Sequence, residues 1–178
     1  MQDFHSIVYS KNVIEFVAVA KEFCEFMENM GGGKKRQAVA GIQKFIPLVY
    51  LKGVMLPHFD LEVSGLSEDF VTEDDYNFLF AGWEKLMGEY DEYLEVFDEA
   101  MQYSELPVIH TVSEKLCDIY QDLKNFISAY RSGMETVMIE AIWVLSEGFE
   151  NYWGKAAAEL LRAVHSIVYR LNDENELC

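Results

Sequence analysis

Apolar side chains recur at intervals of three and four residues over most of this chain, and this spacing limits the folds available to it. From about residue 10 one such series occupies a single helical face: Val13, Phe16, Val17, Ala20, Phe23, Cys24 and Met27. Charged residues fall mostly between these positions, which is typical of amphipathic helices packed on a core. Because the chain has only three prolines, breaks are few. The pattern predicts an all-helical protein.

The periodic segments divide into six predicted helices. We place them at about 10–30, 37–56, 72–101, 111–131, 137–152 and 157–171. Most of their connections are short, which favours antiparallel neighbours. We therefore predict an all-α fold, a mainly up-down antiparallel helical bundle of about six helices. We expect one domain over 1–178, with a frayed tail at 172–178.

Two features predict irregularities within this bundle. Pro47 lies inside helix two and lacks the backbone N–H of a helical turn, so we expect a kink or two shorter helices. The segment 58–71 is predicted to be a long loop, and helix five is predicted to stop at Trp153 and Gly154.

Helix three is predicted to be unusually long. Thr72 is a suitable N-cap and acidic residues follow it in the first turn, where they suit the helix dipole. Its predicted apolar face continues at regular spacing, with a bend near Gly82 or Gly88: Tyr76, Phe80, Trp83, Met87, Tyr90, Leu94, Phe97 and Met101. We expect this aromatic column to pack in the core, whereas exposure of Trp83 or Tyr90 would indicate a partner-binding groove.

The chain is strongly acidic, with 31 acidic residues, 14 basic residues and a net charge of −17. A surface of that sign repels phosphate backbones, so we expect no binding to nucleic acid. The excess is concentrated between Asp60 and Glu105, where Lys85 is the only basic residue. This region would attract a basic protein, a cationic ligand or divalent metal ions, although solubility alone also explains an acidic surface.

The cysteines and the N-terminus point to a reduced, cytoplasmic setting. Cys24, Cys117 and Cys178 are odd in number and widely spaced, which favours neither disulfides nor a zinc site. We interpret the first two as core thiols. The apolar stretch from Val13 to Ala20 is interrupted by charge, so we expect neither a signal peptide nor a membrane span.

Helix four carries a column of carboxylates. Glu114, Asp118 and Asp122 stand at i, i+4 and i+8, on one side of the helix. Helix six carries a second polar stripe with spacing i, i+3 and i+7: Arg162, His165 and Tyr169. Because three adjacent carboxylates repel one another, we predict a polar seam in which the column faces Arg162 and His165.

Two interpretations of this seam remain open. In the first, Asp118 and Asp122 pair with Arg162 or water and only fix the register of the helices. In the second, the seam is a ligand site of Asp118, Asp122, Arg162, His165 and Tyr169. Magnesium or manganese could then be held by Glu114, Asp118 and Asp122, with His165 as acid or base.

Other motifs are absent or weak. No Glu-x-x-His pair supports a di-iron centre, and no GxSxG, CxxC, HExxH or dinucleotide-binding glycine motif occurs. The remaining histidines share no ligand spacing, and we expect them at the surface: His5, His58 and His110. Nucleophilic and cofactor chemistry is therefore unsupported, and whether the protein is an enzyme stays open.

Several segments together resemble a bacterial family described as a domain of unknown function. They are 14–24, 48–57, Asp118-Ile-Tyr-Gln-Asp122-Leu123, and 149–154 followed by Leu161-Arg162-Ala163 and His165. The Asp-Ile-Tyr-Gln-Asp and Trp-Gly segments are the most distinctive. The resemblance covers most of the chain and implies a helical bundle in a bacterial, cytosolic protein, with no activity to transfer.

Two functional hypotheses follow. The first is a non-enzymatic binding or protein-interaction module whose acidic face around helix three meets a basic protein. The second is a divalent-metal-dependent hydrolase or small-ligand binding protein that uses the carboxylate column of helix four.

Overall fold

A computed structural model of the chain describes residues 4–30, 33–62, 65, 69–95 and 108–176, with side chains to Leu171. The helices are α1 (Phe4–Val8), α2 (Lys11–Asn29), α3 (Lys35–Val54), α4 (Glu73–Met87), α5 (Val112–Tyr130), α6 (Glu135–Gly148) and α7 (Gly154–Glu176). Strands β1 (Glu92–Glu95) and β2 (Val108–Thr111) form an antiparallel pair between α4 and α5. Apart from the five-residue α1, the described part of the chain thus holds six helices, and the predicted all-α bundle is confirmed.

Helix α5 is the centre of the bundle. It packs against α2, α4, α6 and α7, while α3 covers α2 and α7. Its apolar face is wholly buried along several turns, from Leu116 through Ile119 to Leu123. Burial of such side chains supplies the main favourable free energy of folding. The candidate functional side chains of α5 therefore lie on its polar edges, while packing on its other faces holds the helix in place.

The N-terminus of α4 forms as the sequence predicts. The Thr72 hydroxyl accepts a hydrogen bond from the Asp75 amide at 3.1 Å, and the Asp75 carboxylate accepts one from the Thr72 amide at 3.2 Å. This reciprocal capping box satisfies two amides that helical bonding leaves unpaired. The Thr72 hydroxyl also donates to the Asp75 carboxylate at 2.7 Å, and this bond, with the one from the Thr72 amide, lowers the pKa of Asp75.

The predicted length of helix three is wrong. Helix α4 ends at Met87, because Gly88 adopts φ +55°, a conformation that favours glycine. After a short 3₁₀ turn, β1 pairs with β2, so that Leu94 opposes Ile109 and is exposed. The aromatic column is buried at Trp83 and Tyr90, as core packing requires. Phe97 and Met101 lie outside the described residues.

The predicted break at Trp153 and Gly154 is also wrong. The backbone from α6 to α7 stays helical, and the intervening residues Phe149–Trp153 form a π-helical turn. Gly154 has helical dihedral angles of −65° and −41°, so it continues the helix. Such wide turns insert an extra residue into a helix and often occur at functional sites.

The remaining boundaries deviate less from the prediction. Helix α3 is one helix with Pro47 inside it, not two. Helix α7 continues to Glu176, five residues beyond its predicted end at 171. Cys24 and Cys117 are buried free thiols, as predicted for core positions, while Cys178 lies outside the described residues. Within the described part of the chain, no helix is long and apolar enough to cross a bilayer.

Candidate ligand-binding cleft

The carboxylates of the predicted column have different surroundings. Asp118 Oδ1 accepts a hydrogen bond of 2.7 Å from the Tyr76 hydroxyl of α4. Glu114 lies in the first turn of α5, where its amide donates to the Thr111 hydroxyl at 3.3 Å. Asp122 is partly buried, and no hydrogen bond or ion pair joins its carboxylate to another described residue. Of these carboxylates, Asp122 is the one that is both partly buried and without a bonded partner among the described residues, whereas Glu114 is exposed.

The predicted polar seam does not form. Arg162 Nη2 donates to both carboxylate oxygens of Glu95 in β1, each at 2.9 Å, instead of to Asp118 or Asp122. His165 and Tyr169 are exposed, and their rings contact each other at 4.9 Å between centroids. The hairpin that carries Glu95 was not predicted, and it supplies a buried carboxylate for Arg162. Among the predicted ligand-binding residues, Asp118 and Asp122 therefore lie close together on α5. Arg162, His165 and Tyr169 lie elsewhere, on α7.

His110 is not a surface residue of the predicted kind. It lies on β2 with its side chain 14% exposed, and its Nδ1 is 3.2 Å from the Glu159 carboxylate of α7. Lys115 Nζ contacts the same carboxylate at 3.3 Å. His5 and His58 are exposed, as predicted. The histidine prediction failed where the unpredicted hairpin brought β2 against α7.

A cleft of about 300 Å³ opens beside Asp122, between α5, α6 and the π-helical turn. Among the residues that the structure describes, the charged groups of its lining are all acidic: Asp69, Asp122 and Glu147. Aromatic rings form much of the remaining wall, from Phe126, Trp143, Tyr152 and Trp153. A pocket with apolar walls and a few polar groups is the usual form of a small-molecule site.

Asn125 holds one rim of the cleft in place. Its Oδ1 accepts hydrogen bonds from the amides of Phe70 and Val71, at 2.8 and 2.9 Å. Its Nδ2 donates to the Asp69 carboxylate at 3.2 Å. A single α5 side chain thereby fixes the segment before α4 and brings a second carboxylate towards Asp122.

The π-helical turn shapes the opposite wall. The Trp153 indole N–H donates to the Leu145 carbonyl at 3.0 Å, which fixes a fully buried ring. Tyr152, the preceding residue, is 75% exposed at the mouth. A Cβ added to Gly148 would come within 3.2 Å of the Trp153 ring and 4.0 Å of Asp122 Oδ2. Glycine at this position therefore leaves room for the Trp153 ring, whereas a Cβ would make only an ordinary contact with the carboxylate.

Burial raises the pKa of Asp122 to about 6, and the negative charges of Asp118 and Asp69 act in the same direction. In a partly desolvated site next to like charges, the ionised form is disfavoured. A cation placed in the cleft would offset both effects.

A second concavity of about 250 Å³ adjoins the first and shares four residues with it, among them Asp122 and Tyr152. Its lining includes cations as well as acids, since Lys115 and Lys155 accompany Asp118 and Glu159. The cleft is therefore acidic on one side of Tyr152 and mixed in charge on the other.

The geometry gives little support to a metal centre. Among the residues that the structure describes, no group of three or more histidines, cysteines or acids is arranged to hold a metal ion. Glu114 and Asp122 are eight residues apart on α5, a rise of about 12 Å at 1.5 Å per residue. One ion therefore cannot contact the whole predicted column.

The sequence missed several lining residues, mainly Trp143, Tyr152, Asn125 and Glu147. Three of them lie on α6 or the π-helical turn, which the predicted break at Trp153 and Gly154 had separated from α7. The Trp-Gly segment lies at this wall, but in the sequence it predicted only the end of a helix. Asn125 gave no signal, since its partners are backbone amides of a predicted loop.

Comparison with known proteins gives a family without an assigned activity. A family model described as a domain of unknown function (DUF5063) matches residues 7–170. The chain belongs to this family. The predicted resemblance is thus confirmed, and the whole cleft falls within the matched residues.

A solved structure agrees with this assignment. The crystal structure of protein BF1032 from Bacteroides fragilis, a structural genomics target, is similar to this chain with a TM-score of 0.81 and 34% sequence identity. The match covers 92% of this chain and 99% of that one. None of the curated proteins matches the chain significantly.

Proposed function

We propose that this protein is a binding protein whose cleft beside Asp122 takes a small organic cation. The observation that carries the proposal is the charge of the lining: the described lining residues include three carboxylates and no basic side chain, around a concavity with aromatic walls. Cations are attracted both by carboxylates and by the faces of aromatic rings. The volume suits a ligand of about the size of a substituted amine.

Asp122 supports a cation over a neutral ligand. Its carboxylate has no bonded partner among the described residues, and its pKa of about 6 reflects unfavourable desolvation of its charge. A protonated amine would supply the missing counter-charge and lower that pKa. Affinity should therefore rise as the pH increases through about 6 and level off above it.

The test uses three ligands of one shape and different charge: benzylamine, benzyl alcohol and benzoate. Thermal unfolding at pH 7.5 should show stabilisation by benzylamine alone, because a ligand that binds only the folded state raises the melting temperature. The benzylamine-induced shift in melting temperature should disappear in Asp122→Asn. It should persist in the control Glu84→Gln, which removes one negative charge from an exposed position on α4. Equal shifts with all three ligands, or none with benzylamine, would refute a cation site.

The same assay separates the metal hypothesis. Magnesium or manganese in place of benzylamine should give no shift if the cleft is built for organic cations. A manganese-dependent shift that the Asp118→Asn, Asp122→Asn double variant abolishes would instead favour the metal-dependent alternative.

A second function is favoured by an observation on α4. Phe78 is 84% exposed, the highest exposure of any large apolar side chain described, and its helix begins with Glu73, Asp74 and Asp75. Phe70, also exposed, lies beside it on a shallow concavity. Aromatic residues are enriched at protein interfaces and single anchors often dominate binding. We call the surface of Asp74, Asp75, Phe70 and Phe78 the acidic-aromatic face.

On this second proposal, the acidic-aromatic face binds a basic protein. A synthetic amphipathic peptide of lysine and leucine is a suitable probe. Fluorescence anisotropy should show peptide binding that weakens as salt is added. The affinity should fall about tenfold in Phe78→Ala, because an aromatic side chain at the centre of an interface contributes binding energy that charge does not replace. Binding that follows net charge but ignores Phe78 would count against a defined face.

A further inference from the structure

Helix α3 is the basic element of an acidic protein. The segment 29–59 contains no acidic residue and five of the fourteen basic ones: Lys34, Lys35, Arg36, Lys44 and Lys52. Lys34, Arg36 and Lys44 are exposed. This segment therefore carries positive charge on a molecule whose net charge is −17.

The same helix exposes apolar side chains towards its C-terminus. Leu48, Leu51 and Met55 are each between 39% and 56% exposed. With Lys44 they follow one another at spacings of four, three and four residues, and so lie in one row along the helix. The row extends for about 16 Å at 1.5 Å per residue. We call Lys44, Leu48, Leu51 and Met55 the α3 row.

The α3 row lies on a rigid part of the fold. The Asn12 amide group donates to the Met55 carbonyl at 3.0 Å, and Lys52 pairs with Glu15, so α2 holds the end of α3. On the other side, Gly53 lets α3 approach the π-helical turn closely, because a Cβ there would be 2.6 Å from the Trp153 ring. An exposed apolar row on a fixed helix is typical of a docking surface.

We propose that the α3 row docks onto the acidic-aromatic face of a second copy of this chain. The two surfaces are complementary: the α3 row has one lysine and three protruding apolar side chains, and the other surface has two aspartates and two exposed phenylalanines. The concavity beside those phenylalanines is also lined by Lys124, whose charge is paired with Glu28. This inference rests on the second proposed function and names its basic partner.

Net charge favours a protein partner over a lipid surface. An anionic bilayer would face the acidic remainder of the molecule as well as α3, and would repel it. A second copy meets α3 only through the acidic-aromatic face, and repulsion between the remaining surfaces is screened beyond about 8 Å at physiological salt. Because different surfaces of the two copies meet, the contact either occurs twice in a two-fold dimer or continues head-to-tail into rings or chains.

The decisive experiment is sedimentation of the full chain with two blocking variants. Leu51→Asp disables the α3 row and Phe78→Asp disables the acidic-aromatic face. Each variant alone should be monomeric at concentrations where the parent chain associates, with an apparent dissociation constant raised about tenfold or more. Mixed together they should form a 1:1 heterodimer and nothing larger, since each retains one intact surface.

Ile14→Asp is the matched control. It places the same charge at an exposed aliphatic position, 51% exposed on α2, and should leave association unchanged. Circular dichroism of every variant establishes that it folds.

Two sedimentation results would overturn the inference: a parent chain that stays monomeric at submillimolar concentration, or association that neither blocking variant weakens. A third is a binding result, in which the parent chain binds vesicles rich in anionic lipid and Leu51→Asp abolishes that binding. If the parent stays monomeric while the lysine-leucine peptide still binds at Phe78, the second proposed function survives and only the choice of partner fails. If the peptide also fails to bind, both fall.

Discussion

Arg162 of α7 donates two hydrogen bonds of 2.9 Å to the carboxylate of Glu95 in β1, a side chain only 1% exposed. A buried carboxylate requires a bonded counter-charge, because desolvation without one is costly. This contact anchors the hairpin to α7 and directs Arg162 away from the carboxylates of α5. It is the contact that separates the predicted seam into two parts.

Removing Arg162 should destabilise the fold. In Arg162→Ala the buried Glu95 loses these two hydrogen bonds, and we expect a loss of about 2 kcal/mol in the free energy of unfolding. Urea denaturation measures it. Lys155→Ala, which removes an exposed cation from the same helix, should change stability by less than about 0.5 kcal/mol. Equal effects of the two variants would contradict a structural role for the pair.

Asp122 should make the protein less stable as pH rises. Its pKa is about 6 in the folded state and about 3.9 in an unfolded chain. Between these values the folded state binds more protons, so the free energy of unfolding falls as pH increases. The loss of stability caused by Asp122 begins near about pH 4 and is complete above about pH 6.

Asp122→Asn isolates this effect, because the amide stays neutral. We expect the variant to exceed the parent in stability by about 2 kcal/mol at pH 7.5, with the difference shrinking towards pH 4. Denaturant unfolding at the two pH values measures both. A variant less stable than the parent at pH 7.5 would show that the ionised carboxylate is well compensated.

Gly53 should resist enlargement. An added Cβ would lie 2.6 Å from the Trp153 ring and 2.7 Å from the Phe149 ring. Overpacking of this kind costs about 1–3 kcal/mol, while alanine gains up to about 1 kcal/mol in helix propensity. We expect Gly53→Ala to be destabilised in thermal unfolding. A more stable variant would mean that the π-helical turn yields easily.

The core thiols should be inert in the folded protein. Burial raises the pKa of Cys24 and of Cys117 to about 12, so almost no thiolate is present near neutral pH. Iodoacetamide at pH 8, followed by peptide mass spectrometry, should leave both unmodified until denaturant is added. Rapid native alkylation of either residue would reveal local opening of α2 or α5.

Local sequence determined the helices and their type. The spacing of apolar residues placed α5 within one residue of its observed ends at both termini, and the Thr72 capping box formed as predicted. It also placed Cys24, Cys117 and Trp83 in the core. These features depend on contacts within a few residues, or on burial that the spacing of apolar residues predicts directly.

Tertiary structure decided the rest. The pairing of β1 with β2 joins residues on either side of a segment of twelve, and this long-range pairing holds Glu95 where Arg162 can bind it. The π-helical turn arises where α3 packs closely through Gly53, which no helical periodicity reveals. The candidate cleft depends on this turn, which forms one of its walls. Its carboxylate was readable in the sequence, but its aromatic walls were assembled by packing between distant helices.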